Sequence, residues 1–181
     1  MNITPTSLEG AMIIEAQKFG DERGYFMETY NRDRFVSHGI TEEFVQDNLS
    51  LSKDVGTLRG IHLQEPPYAQ AKLVSVLKGR VMDIAVDLRV RSRTFGQYVK
   101  VELSGDDSRF FLIPAGFGHA FITLEPDTIF QYKCSNNYNK DSERTICWND
   151  PDLAIEWGTD APILSAKDTL GIRLADYKSP F

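Results

Sequence analysis

The sequence predicts an all-β fold closed as a sandwich or barrel, on three observations. Short runs of alternating or continuous apolar residues fill most of the 181-residue chain. Turn-forming clusters separate them at a spacing of about 8–12 residues. A single stretch, NRDRFVSHG, has the makings of a helix, with Asn31 as cap and Gly39 as stop.

In chain order, strands are expected at AMIIEAQ (11–17), YFMETY (25–30), TLRGIHLQ (57–64), QAKLVSVLKG (70–79), RVMDIAVDLR (80–89), QYVKVELS (97–104), RFFLIPAG (109–116), HAFITLE (119–125), TIFQYKCS (128–135) and RTICWND (144–150). The breaks between them are FGDERG, EPP, KG, SGDD, PAG and EPD. No repeat, low-complexity tract or linker divides the chain. It reads as one unit over 1–181, with a strand-rich core over about 10–150 and an irregular packing segment over 151–181. Trp157, Ile163 and Leu164 are the expected anchors of that segment. In RVMDIAVDLR, Met82, Ile84, Val86 and Leu88 form a core face. Val81, Asp83, Ala85 and Asp87 form the other, expected to be solvated, the alternative being a polar cavity inside a barrel.

A hydrophobic share of 41% and a charged share of 25% are those of an ordinary globular chain. The net charge of −6 argues against nucleic acid as a partner but leaves room for a small phosphorylated ligand. No apolar run approaches the roughly 18 residues of a membrane span, and the opening MNITPTSLEG has no signal-peptide pattern. With two cysteines, Cys134 and Cys147, and no disulfide framework, a cytoplasmic location is expected.

The stretch LRGIHLQ places a cation and an imidazole in an apparently buried strand. Strict alternation would point Arg59 and His62 to opposite faces. Gly60 between them is the expected site of a bulge that brings both to one cavity. Alone, His62 reads first as a structural histidine. A metal site is not expected, because no second histidine follows His62 at the right spacing, and His38 and His119 lie far off. No phosphate loop, dinucleotide fingerprint or serine-nucleophile motif is present. What is left is acid–base chemistry without a cofactor, with His62, His119, Lys72, Tyr132 and Tyr138 as candidates. Lys72 shares a face with Val74 and Val76, so its amine is drawn inward.

Eight segments in order resemble the dTDP-4-dehydrorhamnose 3,5-epimerase family: GDERGYFMETY, FVQDNLSLS, the long run from Gly56 to Arg89, SRTFGQY, IPAGFGHAF, QYKCSNNYN, WNDPDLAIEW and PILSAKD. The resemblance implies a cupin-type jelly roll with a few short peripheral helices, a homodimer, no metal and no cofactor. It implies a nucleotide-linked 4-keto-6-deoxyhexose as substrate, inverted at C3 and C5 through an enolate. It makes His62 the base, Asp168 its partner, Tyr132 the acid on the opposite face and Lys72 the stabiliser of the enolate oxygen, with Asp83 in the same network. It assigns Arg23, Glu28, Gln46, Asn48, Arg59, His119, Tyr138, Glu143 and Lys167 to substrate binding, with Arg23 and Glu28 acting across a dimer. Leu63, Gly118 and Asn137 depart from the family pattern, and the choice of nucleotide and sugar stays open. The alternatives are epimerisation at C3 or C5 only, a ketoisomerase or metal-dependent oxygenase on a similar barrel, and a sugar-binding cupin without activity.

Overall fold

The alternating runs pair into two antiparallel sheets in a computed structural model that describes residues 1–181. The strands are β1 (Asn2–Pro5), β2 (Met12–Glu15), β3 (Lys18–Asp21), β4 (Gly24–Met27), β5 (Gln46–Ser52), β6 (Leu58–Gln64), β7 (Lys72–Lys78), β8 (Arg80–Asp87), β9 (Tyr98–Ser104), β10 (Arg109–Ile113), β11 (Phe117–Thr123), β12 (Thr128–Cys134) and β13 (Glu143–Thr145). One helix, α1 (Arg32–Ser37), follows the Asn31 cap, whose side chain accepts from the Arg34 amide. One sheet has the order β1-β2-β10-β7-β12-β5 and the other β13-β6-β11-β8-β9. They face each other as the expected jelly roll. Strands β3 and β4 form a separate hairpin, so FGDERG is the first strand and turn of that hairpin rather than a break.

Three apolar layers fix the arrangement. Between the sheets lie Val74, Val76, Val81, Ala85, Phe111, Phe121, Phe130 and their neighbours. Outside the five-stranded sheet, the segment after Pro151 lays Leu153, Ile155, Trp157 and Tyr177 over Leu58, Ile61, Leu63, Ile84 and Val86. Outside the six-stranded sheet, Phe35 of α1 and Ile40 cover Ile14, Leu73 and Leu112. Of the expected anchors, Trp157 and Leu164 pack as anticipated. Ile163 instead leaves its side chain exposed and ties down through its backbone, in a parallel bridge to Thr57.

The solvated-face expectation for β8 is overturned. Asp83 and Asp87 are both fully buried. The C-terminal segment covers the outer face of β8, so the Asp83 face is the one turned between the sheets. A strand covered on both sides loses the polar-out signature.

Strand β6 carries the bulge. Arg59 opposes Phe121 and His62 opposes His119, so three steps along β6 match two along β11. Leu58, Ile61 and Leu63 all pack under the C-terminal segment, and Arg59 and His62 both turn inward. Gly60 is the inserted residue, with φ of +136°, a region that side-chain-bearing residues rarely adopt. A Cβ there would lie 2.3 Å from the Ala120 Cβ and 2.7 Å from the His119 carbonyl oxygen. Gly60→Ala is expected to destabilise the fold by roughly 2–5 kcal/mol, combining steric overlap with an unfavourable backbone conformation. Denaturant unfolding checks this, and a loss below 1 kcal/mol would show that the two strands can separate freely here.

Candidate active site

The open end of the inter-sheet space is a cavity in two connected lobes. Its walls follow from strand register. On the six-stranded sheet, Gln46, Cys134 and Lys72 form one cross-strand row, and Asn48, Tyr132 and Val74 the next. On the five-stranded sheet, His62 and His119 stand side by side, with Arg59, Phe121 and Asp83 in the neighbouring row. The inner lobe, about 390 Å³, is lined by Arg59, His62, Lys72, His119, Tyr132, Glu143, Lys167 and Asp168 among others. The outer lobe, about 330 Å³, adds Gln46, Gln64, Gln70, Cys134 and Tyr138. These volumes suit a small organic ligand. Phe121 and Phe130 stack across the two sheets at 4.2 Å beneath the inner lobe.

His62 Nε2 lies 2.6 Å from Asp168 Oδ1. Asp168 also accepts from the Ser165 hydroxyl at 2.6 Å and from the Gly60 amide at 3.4 Å. Burial of Asp168 favours its neutral form, but the bonds from His62 and Ser165 outweigh it and hold the carboxyl below the usual range. An ionised Asp168 requires a proton on His62 Nε2, so the lone pair of the neutral ring is on Nδ1. Burial pushes the His62 imidazole below its ordinary value; the bond to Asp168 opposes this only in part, and Lys167 and Lys72 add to the fall. Burial thus favours the unprotonated ring.

Lys72 is buried, with Nζ 3.4 Å from the His62 carbonyl oxygen, and burial lowers its pKa. Arg59 is held by the Ser52 hydroxyl and the Leu51 carbonyl, each at 3.2 Å. Neither cation is bonded to a carboxylate, so both can receive an anionic ligand. Tyr132 reaches the same cavity from the opposite sheet, and burial raises its pKa, keeping the phenol protonated. His119 is a second imidazole held by a buried carboxylate, with Nε2 2.9 Å from Asp83 Oδ2; burial pushes Asp83 up. Glu143 pairs with Lys167 and accepts from the Tyr138 hydroxyl at 3.2 Å.

Eleven of the fourteen sequence-assigned site residues line the two lobes: Gln46, Asn48, Arg59, His62, Lys72, His119, Tyr132, Tyr138, Glu143, Lys167 and Asp168; Asp83 is buried behind His119. Arg23 and Glu28 do not line either lobe. Arg23, at the tip of the β3–β4 hairpin, pairs with Asp21 at 2.5 Å, and Glu28 pairs with Arg34 at 3.2 Å. The sequence reading missed Ser165, although Ser-x-x-Asp is a capping pattern visible in SAKD. It also missed Gln64, whose side chain bridges the Tyr68 and Asn137 carbonyls and the Asn139 amide. No group of three or more His, Cys, Asp or Glu side chains is arranged to hold a metal ion.

Such a cavity can take a proton from one side of a ligand and return one from the other. The chain belongs to the dTDP-4-dehydrorhamnose 3,5-epimerase family, whose model matches residues 5–176. A dTDP-4-dehydrorhamnose 3,5-epimerase from Shigella flexneri is 46% identical over 177 residues, 97% of each chain. The crystal structure of the Bacillus anthracis enzyme of that name, with TDP and PPi bound, is similar with a TM-score of 0.93 and 44% identity, covering 95% of this chain and 98% of that one. An epimerase from Legionella pneumophila, solved with dTDP-4-keto-L-rhamnose, gives a TM-score of 0.91 and 46% identity over 96% of this chain and 93% of its own. This protein is accordingly an isomerase of the epimerase type.

With His62 as the base and burial holding its pKa below the ordinary 6.5, activity is expected to hold at neutral pH and to fall on the acid side below that value. A pH profile of kcat/KM checks this, and an acid limb above pH 7 would contradict it.

Proposed function

We propose that this protein inverts C3 and C5 of dTDP-4-dehydro-6-deoxy-D-glucose, giving dTDP-4-dehydro-L-rhamnose, by deprotonation and reprotonation without a cofactor. The observation that carries the reading is the His62–Asp168 pair on one wall of the cavity facing Tyr132 on the opposite wall, with burial favouring the neutral imidazole and the protonated phenol. Both carbons flank the C4 ketone, so removing either proton gives an enolate. His62 takes the proton through Nδ1, and Asp168 supports the imidazolium that forms. Lys72 faces the developing oxyanion at C4, where a buried cation is most effective. Tyr132 returns a proton from the other side, which inverts the centre.

In this reading Arg59 and, across the dimer, Arg23 meet the diphosphate, their guanidinium geometry matched to phosphate oxygens, and Lys167 adds to substrate binding. Gln46, Asn48, His119, Tyr138 and Glu143 position the sugar nucleotide. The working unit is a cytoplasmic homodimer, and Arg23 and Glu28 reach the site of the partner. Support for the dimer comes from the β3–β4 hairpin, which stands apart from both sheets and exposes Phe19, Tyr25 and Phe26. The free state of Cys134 and Cys147 suits a reducing compartment.

Incubation with dTDP-4-dehydro-6-deoxy-D-glucose in deuterated water tests the function. Label is expected at both C3 and C5; label at one carbon only would leave a single-centre epimerase. In the same assay His62→Ala should lose exchange at both carbons while still binding the substrate, and near wild-type exchange would remove His62 from the base role. Tyr132→Phe should slow turnover by roughly 10²–10⁴-fold, the usual contribution of one acid. A change below about threefold would assign reprotonation to water or another group.

A further inference from the structure

We infer that Ser165 is a positioning residue for the His62 base, acting through Asp168; the inference rests on the base role proposed above. The Ser165 hydroxyl donates to Asp168 Oδ2 at 2.6 Å, while Oδ1 receives His62 Nε2 at 2.6 Å. One oxygen of the carboxylate is thus fixed by serine and the other by histidine. Asp168 is 3% exposed, and no protein group other than Ser165, which itself lies at the exposed edge of the site, donates to Oδ2. The local turn does not need the hydroxyl. The Ser165 carbonyl already accepts from the Asp168 amide at 3.1 Å and the Thr169 amide at 3.3 Å, and both bonds survive loss of the side chain. The hydroxyl makes only a long 3.3 Å contact to the Asp168 amide besides its bond to the carboxylate. Its main contact is therefore the bond that orients the carboxylate and draws off part of its charge.

Removing that bond leaves Asp168 more basic and a stronger partner for imidazolium. The other groups facing this pair across the cavity are Lys72 on β7, His119 on β11, Tyr132 on β12 and Glu143 on β13, with Arg59 and Lys167 at its edge. Ser165→Ala changes none of them.

The test compares wild type, Ser165→Ala and Ser165→Thr as full-length protein. In the free protein, the His62 ring titrated by NMR should move its midpoint upward in Ser165→Ala by about half a pH unit or more. In the exchange assay, kcat should fall about tenfold or more with KM within about twofold, and the acid limb should follow the NMR midpoint. Ser165→Thr, which keeps the hydroxyl, should restore both. Thermal unfolding identifies an alanine variant that fails to fold; Ser165→Cys, a weaker donor, then takes its place with an intermediate shift expected. An unmoved His62 midpoint, as when a water replaces the hydroxyl, overturns the inference. So does a threonine variant that behaves like alanine, or a raised KM at unchanged kcat, which would mean that serine touches substrate directly. If wild type exchanges neither carbon, the proposed function fails, and the NMR titration still judges Ser165.

Discussion

A β-strand turns successive side chains to opposite faces, so one inserted residue exchanges the two faces from that point on. Gly60 is that residue, and the cavity depends on it. Without the insertion, alternation anchored at Leu58, Ile61 and Leu63 could not hold for both ends of β6. Either Arg59 or His62 would point into the layer under the C-terminal segment, among Ile84, Val86 and Trp157. A guanidinium or imidazolium in that layer would be buried without a partner, which costs several kcal/mol. Glycine is required because the strand crosses within contact distance of Ala120 and His119 with positive φ. The bulge also leaves the Gly60 amide free of the ladder, and that amide points to Asp168. One irregularity thus aims His62 into the cavity and supplies a donor to the carboxylate behind it.

The C-terminal segment completes what the bulge begins. It has little regular structure, only short 3₁₀ turns at Asp168–Leu170 and Leu174–Asp176. Its position is set by two isolated bridges, Thr57 to Ile163 and Ile146 to Ile172, and by burial of Trp157 and Tyr177. The bridge at Ile163 lies five residues before Asp168, so it sets where that carboxylate arrives. Gly171 passes so close to the Cys147 backbone that a Cβ there would lie 2.6 Å from the Cys147 amide nitrogen. The segment therefore does two jobs with the same contacts. It buries the outer face of the five-stranded sheet, and it delivers the carboxylate partner of His62, which lies 106 residues earlier in the chain.

That sequence distance explains which parts of the site the sequence made legible. Turn clusters and alternation revealed most strands, the Asn31-capped helix and the Gly60 bulge, because these are local features. The pairing of His62 with Asp168 is not local, and only the resemblance to a known family brought it into view. Strand β5 escaped the periodicity reading for a different reason. It turns Gln46, Asn48, Ser50 and Ser52 inward and leaves Leu49 and Leu51 exposed, the reverse of an ordinary core strand. A strand that lines a polar cavity inverts the pattern used to find strands. Strand β8 misled in the opposite sense, since carboxylates usually mark a wetted face and here mark the interior. Arg23, on the β3–β4 hairpin, and Glu28, just beyond it, lie outside the cavity of their own chain, the position that a role across a dimer requires. These departures fall where the chain builds a site or presents a surface, and there local rules compete with other demands.

The electrostatic state of the cavity follows from one cause acting on groups of opposite type. Burial disfavours charge, so it lowers the imidazole of His62 and raises the phenol of Tyr132. Burial thus favours the unprotonated imidazole and the protonated phenol, the forms that the proposed base and acid roles require. The same burial weighs against the ammonium of Lys72, which has no carboxylate bonded to it in the free chain. A ligand whose oxygen becomes anionic during reaction supplies the missing partner only as the reaction proceeds. Interactions that strengthen toward the transition state raise turnover, whereas those already complete in the ground state do not. Leaving Lys72 unpaired, while Asp168, Asp83 and Glu143 each hold a partner, is the arrangement that the proposed enolate role calls for.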